Sequence, residues 1–381
     1  MPPSLAANAV FRALRAAQAA SRPLIDLTAT NPTAAGFEYP AALLAPLGSS
    51  DGHVYEPSPL GLPAAREAIA RDYARRGISL SPDRIVLTSS SSEAYSVLFK
   101  LLCEPAGDDV LTPAPSYPLF DHLTRLDGVT AVNYALEYHG RWALDRGSVE
   151  AAWTPRTRAV LAVSPNNPTG SWLSREELDR LASRCAAGDA ALVLDEVFAD
   201  YPLAGGGGAS VPSATEGLIF RLGGLSKSAG LPQVKLGWIG VDGPEARVAA
   251  AFERLEFICD AYLSVSTPVQ VAAPALIDTA VVVRTQILER VRTNYARLRQ
   301  AAAAHPAVEV LHADGGWSAV LRVPARKTEE EIVLELLDRD GVVVHPGFFF
   351  DFAQEAFLVL SLLPETPVFD EGVARILDRA G

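Results

Sequence analysis

Hydrophobic and polar positions along the chain form two alternating kinds of segment. Short, nearly continuous apolar runs are typical of strands that are covered on both faces, as in a parallel sheet. These predicted strands occupy positions 84–88, 109–112, 129–134, 158–163, 190–194, 218–222 and 236–241. Between them lie segments with helical periodicity, among them 62–76, where Pro63 suits a first turn, and 92–103. The alternation predicts a three-layer α/β fold with a mostly parallel sheet between two helical layers.

A different pattern follows the last of these strands. A long helical region at 268–304, amphipathic at 284–299, precedes shorter strands at 317–323, 342–345 and 357–360 and two helices. The chain opens with a helical stretch that ends near Ala20, and the four consecutive glycines within 204–209 predict a flexible surface loop. We therefore expect an N-terminal segment (1–45) that packs with the small domain, a large domain (46–275) and a small α+β C-terminal domain (276–381).

Composition narrows the functional classes. The 381 residues are 49% hydrophobic and 20% charged, enough for a large core. A net charge of −12 argues against a nucleic-acid partner, because phosphate binding needs a basic surface. No apolar run reaches the length of a spanning helix, so no membrane partner is expected. The three cysteines have no paired spacing and the six histidines no metal-ligand spacing, which predicts a cytoplasmic protein without a metal site.

Lys227 lies in a turn of small residues, GGLSKSAGL at 223–231. A lysine forms an imine with an aldehyde cofactor only when its amine can lose its proton, which requires shielding or nearby positive groups. The Ser and Gly neighbours would let Lys227 approach a ligand closely. A phosphate loop of the nucleotide-hydrolase type is rejected, because that loop needs Gly directly before the lysine and Ser226 stands there. A single lysine is otherwise usually a surface residue.

Asp195 directly follows the apolar run at 190–194 and is therefore expected at the carboxyl end of a strand, where open α/β sheets bind ligands. Pyridoxal 5′-phosphate (PLP) acts as an electron sink when a buried carboxylate keeps its pyridine nitrogen protonated. An Asp after a strand is often only a helix cap. Together with the upstream string NNPTG at 166–170, however, the order Asn167, Asp195, Lys227 predicts a PLP site.

These motifs resemble the class I/II aminotransferases, PLP enzymes of fold type I, from Asn31 to Ser361. The resemblance implies catalytic roles for Lys227, Asp195 and Tyr117, with Tyr117 stacked on the cofactor ring and Asn167 donating to its phenolic oxygen. It also implies that a serine-rich turn and Ser226 hold the cofactor phosphate, although such a turn is otherwise a plain helix cap. The turn consists of Ser90, Ser91 and Ser92. Tyr55 matches a tyrosine that reaches the phosphate of the neighbouring subunit, which implies a homodimer with shared active sites.

The sequence departs from the family pattern around the cofactor. Phe198 stands where the family has a tyrosine that donates to the phenolic oxygen, so we expect a raised imine pKa. Gly224 replaces a phosphate-contacting serine. Lys235 replaces a phosphate-binding arginine, a point charge in place of a two-pronged donor, and is still expected to bind the phosphate.

Another departure concerns the substrate. Val359 stands where the family has the arginine that binds the substrate's α-carboxylate. Either another cation enters the site, or the preferred substrate lacks a carboxylate there. The sequence leaves three arginines as substitutes: Arg22, Arg141 and Arg322. The aromatic run at 348–350 is expected either to border an apolar substrate pocket or to pack the seam between the domains.

The resemblance implies an aminotransferase that moves an amino group from an amino acid or amine to a 2-oxo acid or related carbonyl compound. The missing arginine keeps a second class open on the same scaffold, namely carbon–sulfur β-lyases, oxidases and decarboxylases. A third interpretation, a PLP-binding regulatory domain, is disfavoured because no basic winged-helix segment precedes Asn31.

Overall fold

The computed structural model describes residues 8–203 and 216–380, so the predicted glycine-rich loop at 204–209 lies outside the described residues. In chain order the helices are α1 Ala9–Ala19, α2 Pro63–Arg75, α3 Ser91–Leu102, α4 Leu119–Leu126, α5 Arg146–Ala152, α6 Arg175–Ala187, α7 Leu225–Ser228, α8 Glu245–Asp260, α9 Thr267–Thr279, α10 Val281–Ala302, α11 Glu329–Glu335 and α12 Thr366–Ala380. The strands are β1 Ile25–Asp26, β2 Ile85–Thr88, β3 Asp109–Ala114, β4 Thr130–Tyr138, β5 Trp142–Leu144, β6 Thr157–Val163, β7 Ala191–Asp195, β8 Ile219–Gly224, β9 Gly237–Asp242, β10 Glu309–Val310, β11 Ser318–Arg322, β12 Val342–Val343, β13 His345–Pro346 and β14 Phe357–Ser361.

The large sheet contains eight strands in the order β2-β9-β8-β7-β6-β3-β4-β5. Its centre, β8-β7-β6-β3-β4, is parallel, and antiparallel strands flank it at both ends. Each central strand was predicted from its apolar run to within a few residues. The parallel arrangement brings the carboxyl ends of β6, β7 and β8 to the same edge of the sheet.

Both faces of this sheet are covered by helices. Along β6, Leu161 packs with one apolar cluster that includes residues of α3 and α8, whereas Val160 and Ala162 pack with another that includes residues of α6. This alternation explains why the strands are apolar at successive positions, since neither face meets water. The predicted three-layer α/β architecture is therefore confirmed.

A four-stranded antiparallel sheet, in the order β10-β11-β14-β13, forms the core of the smaller α+β unit. The predicted strand at 342–345 is divided, because Val342–Val343 pairs with the N-terminal strand β1 whereas His345–Pro346 pairs with β14. The N-terminal segment thus contributes a strand beside the C-terminal part of the chain. The boundaries at 45/46 and 275/276 stay a prediction.

The helical region predicted at 268–304 consists of two helices, α9 and α10, which meet at Ala280 with a bend of 54°. The bend lets α9 pack against α2 and α10 pack against α12. Within the described residues no single helix is long and apolar enough to cross a membrane. Taken together, the two helices of this bent pair are long and apolar enough, by length and composition only. One face of both helices is buried in the main apolar core.

Candidate active site

A cavity of about 150 Å³ opens where the central strands of the large sheet end. Asp195 is the last residue of β7, Val163 is the last residue of β6, and Gly224 ends β8 directly before α7. Residues from the smaller unit close the cavity on another side. The lining is Thr30, Ser91, Ser92, Tyr95, Tyr117, Phe120, Leu123, Val163, Asn167, Asp195, Val197, Phe198, Gly224, Ser226, Lys227, Leu236, Trp317 and Ser318.

Lys227 reaches this cavity from the four-residue helix α7. Its ammonium nitrogen lies 5.2 Å from the ring centroid of Trp317 and 5.9 Å from that of Phe198. Burial lowers the pKa of Lys227, and the negative charge of Asp195 opposes the shift without cancelling it. The side chain therefore meets the requirement for a nucleophilic amine, because part of its proton affinity is lost to desolvation.

Asp195 is buried at the floor of the same cavity. Its carboxylate accepts hydrogen bonds from the hydroxyl of Tyr95 at 2.8 Å and from the backbone N–H of Val197 at 3.0 Å. Burial raises the pKa of Asp195 to about 6, although these two hydrogen bonds lower it. A buried carboxylate held in place by two donors is well suited to face a cation inside the cavity.

The serine-rich turn forms the start of α3. Ser90 is the N-cap, and its hydroxyl accepts from the backbone N–H of Glu93 at 3.1 Å. Ser91 and Ser92 line the cavity, as does Ser226, whereas Ser90 does not. Gly237 of β9 packs so closely that an added Cβ would lie 2.7 Å from the carbonyl carbon of Ser90. Hydroxyls and a helix N-terminus thus meet at one end of the cavity, an arrangement that favours a phosphate.

Asn167 and Tyr117 lie on other sides of the lining. The side-chain oxygen of Asn167 accepts from the hydroxyl of Ser318 at 3.3 Å, which leaves its NH₂ group as a donor. The Tyr117 ring lines the cavity, is 38% exposed and meets Phe120 edge to face at 6.2 Å. The roles that the family resemblance implies for both residues stay predictions.

The sequence patterns did not predict some of the lining residues. Trp317 makes edge-to-face contacts with Phe198 at 5.3 Å and with Tyr201 at 5.1 Å, and its indole nitrogen is buried without a partner among the described residues. Tyr95 and Ser318 donate hydrogen bonds to Asp195 and Asn167 respectively. Trp317 stands at the start of a predicted strand, and no local pattern distinguishes it from an ordinary core tryptophan.

Besides Ser90, two residues predicted to bind the cofactor lie outside the lining. Tyr55 is 68% exposed and borders a separate groove formed with Leu263 and neighbouring residues. Lys235 is exposed and has a left-handed backbone (φ 58°) directly after a 3₁₀ turn. Their roles toward a phosphate stay predictions.

The positions that the sequence analysis related to substrate binding also lie outside the cavity lining. Val359 is buried in an apolar cluster with Trp142 and Phe350. None of the three phenylalanines at 348–350 lines the cavity. Phe350 accepts a backbone hydrogen bond from Ser116 at 3.0 Å, so the run packs the seam between the two units.

The three candidate arginines are paired with carboxylates away from the cavity. Arg22 lies 3.3 Å from Asp338, Arg141 lies 3.9 Å from Asp314, and Arg322 pairs with Glu309. Among the described residues that line the cavity, Lys227 alone carries a positive charge. No group of three or more His, Cys, Asp or Glu in the described ranges is placed to hold a metal ion.

The donor set fits PLP, on the chemistry of the residues present. A desolvated lysine amine, a buried carboxylate, a partly exposed aromatic ring, and hydroxyls at a helix N-terminus surround one cavity. These groups match an aldehyde, a pyridine nitrogen, an aromatic ring and a phosphate respectively.

Comparison with known proteins agrees with this site. Residues 25–376 match the family model described as "Aminotransferase class I and II". The glutamate-pyruvate aminotransferase AlaA of Haemophilus influenzae is 25% identical over 369 residues, which cover 93% of this chain and 89% of the relative. The structure of an alanine aminotransferase from Pyrococcus furiosus superposes with a TM-score of 0.88 at 23% identity and covers 97% of this chain and 95% of that one.

A double mutant of the Thermus thermophilus aspartate aminotransferase gives a TM-score of 0.85 at 25% identity, with 100% of this chain and 97% of that chain covered. The type I fold implied by the sequence resemblance is thereby confirmed. The match extends over the whole site, from the N-terminal strand to the last helix. The chain therefore belongs to the class I and II aminotransferases.

Proposed function

We propose that the chain binds PLP in this cavity through Lys227 and transfers an amino group from an amino acid or amine to a 2-oxo acid or related carbonyl acceptor. The observation that carries the proposal is the placement of Lys227 and Asp195 in one buried cavity, with the pKa of the amine lowered by burial. Membership of the family supports the reaction class, and the lining of the cavity supports the choice of residues.

When bound, PLP supplies an aldehyde that condenses with an amine and a ring nitrogen that, once protonated, accepts electron density from the reacting carbon. Asp195 provides the negative charge for that nitrogen, held by Tyr95 and the Val197 N–H. The Nζ of Lys227, once free, would move a proton from the substrate's Cα to C4′ of the cofactor, because desolvation leaves more of the amine unprotonated and able to accept it.

The remaining residues of the site bind the cofactor and orient it. The hydroxyls of Ser91, Ser92 and Ser226 and the start of α3 bind the phosphate. Tyr117 stacks on the ring and the NH₂ group of Asn167 donates to the phenolic oxygen, with Ser318 fixing the amide's orientation. Because a phenylalanine stands at 198, this amide is the main donor to that oxygen.

We also propose a homodimer with shared active sites in the cytoplasm. The exposed Tyr55 side chain is available to a second copy of the chain. The three cysteines are free and buried, which suits a reducing compartment.

The charged side chains around the cavity affect which amino donor the site can bind. Positions 1–7 and 204–215, which lie outside the described residues, contain no Lys or Arg, and the candidate arginines are paired elsewhere. Within one subunit, a substrate carboxylate would therefore depend on neutral donors such as Asn167 and Ser318. A buried carboxylate that lacks a cation is less stable than a paired one by about 3–5 kcal/mol.

We expect a primary amine to be a better donor than the amino acid that has the same side chain. For 2-phenylethylamine and phenylalanine, kcat/KM for the first half-reaction should favour the amine by roughly tenfold or more, since no cation offsets desolvation of the carboxylate. The loss of the yellow cofactor absorbance after mixing with each donor measures this. A preference of about a hundredfold for phenylalanine would contradict the expectation and would require a cation from a second copy.

The proposed reaction itself is tested by adding amines and amino acids singly to the loaded protein. Donors should convert the yellow form to a colourless one, and a 2-oxo acid should restore the colour. Release of ammonia and pyruvate from cysteine without any acceptor would favour a β-lyase instead. Turnover with any donor would exclude a purely regulatory PLP-binding domain.

A further inference from the structure

The helix that carries Lys227 is unusually dependent on distant side chains. The α7 helix has only four residues, so its last carbonyl groups depend on partners that lie outside the helix. The carbonyl oxygen of Lys227 accepts from the backbone N–H of Gly230 at 3.2 Å. The hydroxyl of Tyr201 donates to the carbonyl oxygen of Lys227 at 2.5 Å, and the Nε of Arg284 donates to that of Ser228 at 2.8 Å. Two consecutive carbonyls beneath the reactive lysine are thus held by residues far away in sequence.

Tyr201 is fixed in place by its surroundings. Its side chain is fully buried, and its ring meets Trp317 edge to face at 5.1 Å. Burial raises the pKa of Tyr201 well above its usual range, and the nearby Asp200 adds to the shift. The hydroxyl therefore keeps its proton near neutral pH and can donate a hydrogen bond there.

Arg284 comes from α10 and is held by two acidic side chains. Its guanidinium lies 3.5 Å from the carboxylate of Asp72 and 3.6 Å from that of Asp200, and all three side chains are largely buried. Arg75 bridges the same two carboxylates at 2.9 and 2.5 Å. This four-residue network ties α2, the turn after β7 and α10 to the backbone of α7.

We propose that Tyr201 and Arg284 are positioning residues for Lys227, an inference that rests on the proposed function. Neither lines the cavity. Each fixes a carbonyl of the turn from which the lysine side chain starts, and so fixes the path of Nζ past the rings of Phe198 and Trp317. A displacement of about 1 Å at a reacting atom costs roughly a hundredfold in rate, so this support bears directly on the chemistry.

The first test is Tyr201→Phe, which keeps the ring packing against Trp317 and removes only the donor. Addition of PLP to the cofactor-free protein, followed by borohydride reduction at intervals, measures how fast the cofactor becomes fixed to Lys227. We expect this rate to fall by roughly tenfold to a hundredfold. The pH midpoint of the bound cofactor's visible absorbance should also shift, and kcat should fall more than KM rises.

Tyr134→Phe is a matched control. Tyr134 is also buried and also donates to a backbone carbonyl, but that carbonyl belongs to Leu161 within β6, at 2.8 Å, and not to the turn that carries Lys227. If Tyr201 had a purely structural role, both variants would give the same result. Their thermal stability would be lowered, whereas the rate at which PLP becomes fixed to Lys227 (the trapping rate) and the pH midpoint of the cofactor absorbance would be unchanged. That outcome would overturn the proposal.

Arg284 gives a second test that includes a conservative replacement. Arg284→Lys retains a charged donor and should keep more of the trapping rate than Arg284→Gln, which retains no charge. If Arg284→Gln does not fold, Tyr201→Phe decides the question, and a wild-type rate of cofactor fixation in that variant would refute the proposal. Failure of the wild-type protein to take up PLP at all would instead refute the proposed function.

Discussion

Lys227→Ala is expected to lower the rate of amino transfer by roughly 10⁴-fold or more, because it removes the nucleophilic amine and the group that moves the proton. The variant should still fold, since alanine leaves no unpaired charge in the buried turn. It should also still bind PLP without a covalent bond, through the serines at the start of α3. Steady-state rates with an amine donor and a 2-oxo acid acceptor measure the loss.

Lys327→Ala is the matched control for this variant. Lys327 lies on the surface, where it pairs with Glu335 at 2.6 Å, and its removal should leave the rate unchanged. A Lys227→Ala protein with near-normal turnover would refute the role assigned to Lys227.

Asp195→Asn is expected to lower turnover by roughly 10³-fold, because it removes the charge that stabilises a protonated cofactor nitrogen while it preserves the shape of the site. The wild-type protein should also lose PLP affinity as the pH falls below about 6, the value to which burial raises the pKa of Asp195. Below that pH the carboxyl group is protonated and has no charge to offer. Asparagine does not titrate, so the variant should lose this part of the pH dependence, which PLP titration at a series of pH values measures.

Asp109→Asn provides the comparison for this variant. Asp109 is also fully buried and accepts from the hydroxyls of Thr154 and Thr157, but it lies at the opposite edge of the sheet, where β3 begins. Its replacement should lower the free energy of unfolding without changing PLP affinity. Equal PLP affinity in Asp195→Asn and wild type at pH 8 would contradict the role of Asp195.

The sequence predicted the large domain well because its local signals agree with the tertiary structure. Strand β7 is apolar at every position before Asp195 because helices cover both of its faces. The apolar run therefore predicts that Asp195 lies at the carboxyl end of a strand, where open α/β sheets bind ligands. The region at 268–304 was less predictable. Its periodicity continues through Ala280, whereas the structure bends there and packs its two halves against different helices.

The site residues could be predicted from the sequence only where they belong to a short motif. Lys227, Asp195, Asn167 and the serines lie in short strings with local signals, and the structure brings Ser91, Ser92 and Ser226 into the same lining. Trp317 was missed because it enters the cavity from the smaller unit. The hydrogen bond from the Tyr201 hydroxyl to the Lys227 carbonyl was not predicted either, because it joins segments that are distant in sequence.

The most direct test of the proposed function is to locate the covalent link between PLP and the protein. The chain has four lysines: Lys100, Lys227, Lys235 and Lys327. Borohydride reduction of the loaded protein, followed by proteolysis and mass spectrometry, identifies the one that carries the cofactor. We expect one equivalent of cofactor on the peptide that contains Lys227, whereas cofactor on another lysine, or none retained after reduction, would contradict the proposed site.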